Sequence, residues 1–115
     1  MKNIGVDIVE KERFVKFVND EKMIARILSD LEVKIYKEIN NEKRKIEYLA
    51  SRFCAKEAII KAINQENLTF SYKDISILNY ANGAPYVKFN FPVNFEILIS
   101  LSHSENSCVC VAVIQ

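Results

Sequence analysis

The chain has 115 residues, half of them hydrophobic and 27% charged, with sixteen Lys and Arg against fifteen Asp and Glu for a net charge of +1. That is one domain's length, read as a single unit over 1–115, and it can bury a core without a disulfide or metal staple. The near-neutral balance gives no electrostatic footprint for nucleic acid, no apolar run approaches the ~20 residues that span a bilayer, and no secretory core follows Met1-Lys2-Asn3-Ile4, so a cytoplasmic protein away from membranes is expected.

The opening Asn3-Ile4-Gly5-Val6-Asp7-Ile8-Val9 is β-branched and reads as a strand. Ile4, Val6 and Ile8 share one face of it, and Gly5, Asp7 and Val9 the other. From Lys11 to Leu28, Phe14, Phe17, Val18, Ile24, Ile27 and Leu28 recur at threes and fours, the helical period. Lys11, Arg13, Lys16, Lys22 and Arg26 make that segment basic: a solvated face, or a dock for an acidic helical partner. Ser29-Asp30-Leu31-Glu32 has the form of a capping box opening a helix through Leu31, Ile35, Tyr36 and Ile39. Asn40-Asn41 interrupts, and a long helix is predicted from about Glu42 to Ile63.

The second half reads as β. Asp74 to Tyr80 and Tyr86 to Phe91 flank Ala81-Asn82-Gly83-Ala84-Pro85, where Asn82-Gly83 suits a hairpin turn. Glu96 to Leu101 and Ser107 to Ile114 form a second pair across Ser102-His103-Ser104-Glu105-Asn106. The predicted fold is α+β: one strand, helices including one long central helix, then antiparallel hairpins.

On the long helix Ile46, Leu49, Ala50, Phe53 and Ile60 form an apolar stripe, and Glu57 falls in its middle. A carboxylate there is costly unless paired or bound to a cation. It can pair with Lys61 one turn on, or it can be a ligand. The opposite face carries Ala55, Ala58, Ile59 and Ala62, so burial on two sides is expected. Asp7 poses the same question inside a strand, where aspartate is depleted. Two inward carboxylates from different elements suit Mg²⁺, which keeps waters and shares itself with substrate phosphates.

His103 is the only histidine, at a strand end between Ser102 and Ser104. It is either a solvated turn residue or a donor to phosphate, helped by neighbouring hydroxyls and N–H groups. The three cysteines, Cys54, Cys108 and Cys110, are an odd number, which argues against a disulfide framework. A zinc site would have only those three and His103 to draw on, so the thiols read as small core residues.

Taken together, these segments resemble the bacterial holo-acyl-carrier-protein synthase family, the small 4′-phosphopantetheinyl transferases. Gly5-Val6-Asp7-Ile8-Val9-Glu10 is similar to the family's G-[IV]-D-[IL]-V-E strand. Arg52-Phe53-Cys54-Ala55-Lys56-Glu57-Ala58 with Lys61-Ala62 is similar to its R-F-[AS]-[AG]-K-E-A-x-x-K-A helix, the most specific of the matches. Ser100-Leu101-Ser102-His103-Ser104 is similar to its S-[ILV]-[ST]-H-[ST] segment, and Asn82-Gly83-Ala84-Pro85 to its N-G-x-P hairpin. Cys54 departs from the usual Ala or Ser.

The resemblance implies transfer of phosphopantetheine from coenzyme A to a serine of apo acyl carrier protein, leaving adenosine 3′,5′-bisphosphate, in fatty acid biosynthesis. It implies Mg²⁺ held by Asp7 and Glu57, with Lys61 beside the pyrophosphate as the third catalytic residue. It implies coenzyme A contacts from Arg52, Lys61, Gly83, Pro85, His103 and Ser104. It also implies docking of the carrier's acidic helix on Arg13 and Arg26, and a homotrimer with sites at subunit interfaces. Lys34 stands where relatives often carry an acid, which leaves Glu32 an outside candidate for the proton acceptor. Two other classes share some of these residues: a metal-dependent nuclease, and a non-catalytic module that binds carrier protein through the basic helix.

Overall fold

The computed structural model describes residues 2–64 and 70–115. Strand β1 (Asn3–Glu10) leads through a 3₁₀ segment (Lys11–Phe17) into α1 (Glu21–Ile27), α2 (Asp30–Lys37) and the long α3 (Glu42–Ile63). A 3₁₀ turn (Tyr72–Asp74) then precedes β2 (Ile75–Asn79), β3 (Pro85–Phe89), β4 (Ile97–His103) and β5 (Ser107–Ile114). All strand pairs are antiparallel: β1 joins the C-terminal hairpin in the order β1-β5-β4, while β2 and β3 pair separately. This is the α+β architecture expected, with the long helix over the predicted residues.

Local chemistry explains most boundaries. The Ser29–Glu32 capping box is complete: Glu32 N–H donates to Ser29 Oγ at 3.2 Å, and Ser29 N–H to Glu32 Oε1 at 2.9 Å. The Asn41 side chain accepts from Arg44 N–H at 3.0 Å and starts α3. The run from Lys11 to Leu28 is not one helix. Asp20 Oδ1 accepts from Met23 N–H at 3.1 Å, so a new helix begins there. Asn and Asp compete with the helical backbone for hydrogen bonds and favour caps over interiors. The apolar spacing continues across the break because both pieces pack on the same core.

Strand β1 turns its polar face inward. Ile4, Val6 and Ile8 are more than half exposed, while Gly5 and Val9 are buried beneath α3. Gly5 is required by that contact: a Cβ there would sit 2.1 Å from Ala58 O and 2.7 Å from Ala62 N. Strand and helix backbones therefore touch, and Asp7, two residues on, lies on the α3 side. Along α3, Cys54, Ala55, Ala58, Ile59, Ala62 and Ile63 are buried. Ile46, Phe53, Glu57 and Ile60 are only partly so, which makes the predicted stripe the wall of a groove as well as part of the core.

Glu32 corrects the outside candidacy for proton acceptor. It is fully buried, taking Lys56 Nζ at 2.5 Å on Oε1 and Ile77 N–H at 2.7 Å on Oε2. Lys56 Nζ also donates to Ile27 O at 2.7 Å, so this one pair ties α1, α2, α3 and β2 together. The three cysteines are buried, and Cys54 Sγ meets the Asp7 carbonyl at 3.2 Å. Burial pushes the Cys54 and Cys110 thiols up to about 12, so they stay protonated.

Candidate active site

The contact that needs Gly5 also brings two carboxylates to the side of α3. Lys61 Nζ donates to Asp7 Oδ1 at 3.0 Å and to Val6 O at 2.9 Å, spanning helix to strand. Lys61 therefore pairs with Asp7 and not with Glu57. Glu57 Oε1 instead accepts from the Tyr72 hydroxyl at 2.6 Å. Burial, that bond and the charges of Glu57 and Asp7 push the Tyr72 hydroxyl up to about 12, which keeps it a donor and places both carboxylates in one electrostatic neighbourhood. Asp7 Oδ2 and Glu57 Oε2 have no hydrogen bond among the described residues.

A second cluster lies one and a half turns back along α3. A cavity of about 370 Å³ is lined by Arg44, Tyr48 and Arg52 from α3, Asn79, Gly83 and Pro85 from the β2–β3 hairpin, and His103 from β4. Gly83 has φ +90°, a conformation that favours glycine. Its carbonyl accepts from Asn79 Nδ2 at 2.9 Å, and Asn79 Oδ1 accepts from Arg52 Nη2 at 2.8 Å. The hairpin and the arginine are thus locked as one wall. The Arg52 guanidinium lies 4.2 Å from the Tyr48 ring centroid. Tyr48 Oη and Arg52 Nε are buried without a well-formed bond to any other group among the described residues, and the two side chains are each other's hydrogen-bonding neighbours. A cavity lined by Arg44, Arg52 and His103 fits an anionic, hydrogen-bonding ligand. Ser104 stands apart: its Oγ caps the β4–β5 turn, accepting from Asn106 and Ser107 N–H at 3.3 and 3.1 Å.

A third feature unites the two docking candidates. Arg13 and Arg26, from separate helices, line one groove of about 450 Å³ with Phe14, Phe17, Phe53 and Tyr72. The Arg13 guanidinium lies 5.6 Å from the Phe53 ring centroid. Tyr72 belongs both to this groove and to the Glu57 contact, so the basic groove adjoins the carboxylates. Tyr72, Tyr48, Arg44 and Asn79 escape a reading by motif. Only Arg44 and Tyr48 carry a usable signal, at helical spacing from Arg52.

The chain resembles known proteins throughout its length. Residues 3–112 match the model of the 4′-phosphopantetheinyl transferase superfamily. A holo-[acyl-carrier-protein] synthase of Acholeplasma laidlawii is 38% identical over 97% of this chain and 94% of its own length. One from a Geobacillus species is 41% identical over 97% and 94%. The crystal structure of a holo-(acyl-carrier-protein) synthase from Bacillus anthracis, in complex with CoA (3′,5′-ADP), superposes with a TM-score of 0.85 at 32% identity, covering 98% of this chain and 95% of that one. Sequence, length and fold agree, and the chain belongs to the 4′-phosphopantetheinyl transferase superfamily.

Proposed function

We propose that this chain is a holo-[acyl-carrier-protein] synthase, acting as a single domain: it moves 4′-phosphopantetheine from coenzyme A to a serine of apo acyl carrier protein. Family membership supports the reaction class. The observation that carries the reading to this chain is the cavity of Arg44, Arg52 and His103, one and a half helical turns from two carboxylates that each keep an oxygen uncommitted among the described residues.

In the reaction the serine oxygen forms a bond to the phosphorus that bears pantetheine. The bond from that phosphorus to the bridging oxygen breaks, adenosine 3′,5′-bisphosphate leaves with that oxygen, and the serine proton passes to solvent. Arg44, Arg52 and His103 hold the nucleotide's phosphates in the cavity, against the wall formed by Gly83 and Pro85. Ser104 lies outside that lining; its Oγ accepts two backbone bonds and keeps a hydroxyl hydrogen to donate to a phosphate oxygen that reaches the β4–β5 turn. Arg52 and Glu57 lie about 8 Å apart along the α3 axis, so a diphosphate can reach from one to the other. Lys61 stabilises the charge that develops on it.

Asp7 and Glu57 fit Mg²⁺. They are oxygen-only donors, each with an oxygen uncommitted among the described residues. Mg²⁺ sites characteristically take one or two carboxylates and leave the rest to phosphates and water. Bound there, the ion would neutralise charge on the attacked and leaving phosphates.

The groove of Arg13 and Arg26 receives the acidic helix of the carrier, which puts its serine near Tyr72 and Glu57. The exposed strip of Ile4, Val6, Ile8 and Leu98 supports assembly as a homotrimer. Among the described residues no helix is long and apolar enough to cross a membrane, and the proposed site of action is the cytoplasm. The net charge of +1 lends a nuclease no support.

The test mixes the chain with apo carrier protein, coenzyme A and Mg²⁺ and weighs the carrier. A gain of one phosphopantetheine mass, abolished by chelation, is expected. An unchanged carrier mass, with coenzyme A intact, would overturn the reading.

A further inference from the structure

One buried cation has no place in the site described so far. Lys11 opens the 3₁₀ segment directly after β1, and its side chain is only 9% exposed. An ammonium removed from water needs acceptors. Nζ donates to Ser104 O at 2.6 Å, meets His103 Nδ1 at 3.3 Å and has Glu47 Oε1 at 3.8 Å. The Lys11 backbone N–H donates to Asn106 O at 2.8 Å. One residue therefore grips both arms of the β4–β5 turn, and does so behind the chain's only histidine.

The chemistry of the contact is one-sided. An ammonium has donors and no acceptor, so His103 Nδ1 must accept. The ring hydrogen is then on Nε2, and the contact selects that tautomer. His103 also lines the cavity with Arg52, Gly83 and Pro85. We infer that Lys11 is a positioning residue: it fixes His103 as an Nε2–H donor toward a phosphate oxygen in that cavity, and sets its own charge behind the ring. The inference rests on the proposed role of the cavity in holding coenzyme A. Second partners that fix tautomer and ring orientation recur wherever an imidazole acts on a ligand.

Glu47 sharpens the argument. It lines the cavity too, but at 3.8 Å it is the loosest of the three neighbours of Nζ. The carbonyl of Ser104 and the ring nitrogen of His103 are nearer, so the lysine is held to the turn more than to the acid. Moving Lys11 therefore releases His103 before it disturbs α3.

Because His103 is the only histidine, its ring nitrogens are single signals in a ¹⁵N spectrum of the untagged protein. Spectra at about pH 8.5, where an ordinary imidazole is neutral, should show the wild-type ring as the Nε2–H tautomer with Nδ1 accepting a hydrogen bond. Lys11→Met keeps the aliphatic stem and removes the donor. It should shift the Nδ1 signal and weaken coenzyme A binding about 3- to 10-fold, the scale of one net hydrogen bond. KM for coenzyme A should rise and KM for the carrier should not. In a His103→Ala background the same substitution should add no loss, because the two residues act as a unit. An Nδ1–H ring in the wild type overturns the inference even if the variants do not fold. So do ring signals unmoved by Lys11→Met, or an equal loss with and without His103. A His103→Ala chain that binds coenzyme A like wild type overturns the reading of the cavity, and the positioning role with it, even where the spectra show the contact.

Discussion

Two lysines five residues apart on α3 each meet a carboxylate, and they do opposite things. Lys56 and Glu32 are both 0% exposed, whereas Lys61 and Asp7 are 55% and 17% exposed. Both Glu32 oxygens are taken, by Lys56 Nζ, Ser29 N–H and Ile77 N–H, and Lys56 spends a further bond on Ile27 O. Burial pulls the Lys56 ammonium below its usual range while the facing carboxylate pulls it back up. Asp7 keeps one oxygen uncommitted among the described residues, and so does Glu57 beside it. A pair with no spare valence can hold elements together but cannot bind anything new. A pair left open to solvent holds little together and is free to bind. Charge alone does not separate the two pairs; unspent hydrogen-bonding capacity does.

Breaking the closed pair should have the largest effect on stability. Lys56→Met leaves Glu32 buried and unpaired, at a loss of about 3–5 kcal/mol, read as a fall in the denaturant midpoint. The double change Glu32→Leu with Lys56→Met should recover most of that, since an apolar pair of similar volume often serves as well. If the double variant melts no higher than the single one, the pair does more than fill space. Next comes the basic groove. Arg13→Glu should raise KM for the carrier at least several-fold and leave KM for coenzyme A alone, with the difference shrinking as salt is added. Equal effects on both substrates would move the docking face elsewhere.

The smallest effect concerns a carboxylate that is saturated yet near the surface. Asp74 is held below its usual 3.8, first by the Ser71 N–H and then by the Asn90 side chain. A depressed acid stabilises the fold above its unfolded value, and that contribution is lost as pH falls through the lower folded value. Asp74→Asn should therefore be slightly less stable than wild type at neutral pH, and the gap should close in acid. A gap that widens in acid would contradict the assignment.

What the sequence shows and hides follows the reach of each interaction. The caps at Ser29 and Asn41 act within one helical turn, so their residues announce α2 and α3 directly. Arg52, Glu57 and Lys61 share a helix and a motif, yet the spacing that offers Lys61 to Glu57 misses their actual partners, Asp7 and Tyr72. The cap at Asp20 is just as local, but the apolar period running across it masked the break. The exposed Ile4, Val6 and Ile8 face could not be foreseen, because which face of a strand is covered depends on where α3 lands. Gly5 is the one local clue to that landing. Contacts at long separation were invisible: Tyr72 with Glu57, Arg52 with Asn79, and Lys11 with His103 at opposite ends of the chain.

The contrast between open and closed carboxylates is tested most directly by paired amide substitutions, Glu57→Gln and Glu32→Gln, each assayed for melting temperature and for transfer to apo carrier at saturating Mg²⁺. An amide keeps the shape of the carboxylate but is a poor Mg²⁺ ligand. The account predicts that Glu57→Gln melts within a few degrees of wild type, given that about 1 kcal/mol moves a domain of this size by roughly 4 °C, and loses nearly all transfer. Glu32→Gln should melt far lower while its folded fraction keeps near-normal turnover. Near-normal turnover in Glu57→Gln would contradict the account, and so would a Glu32→Gln protein that melts like wild type.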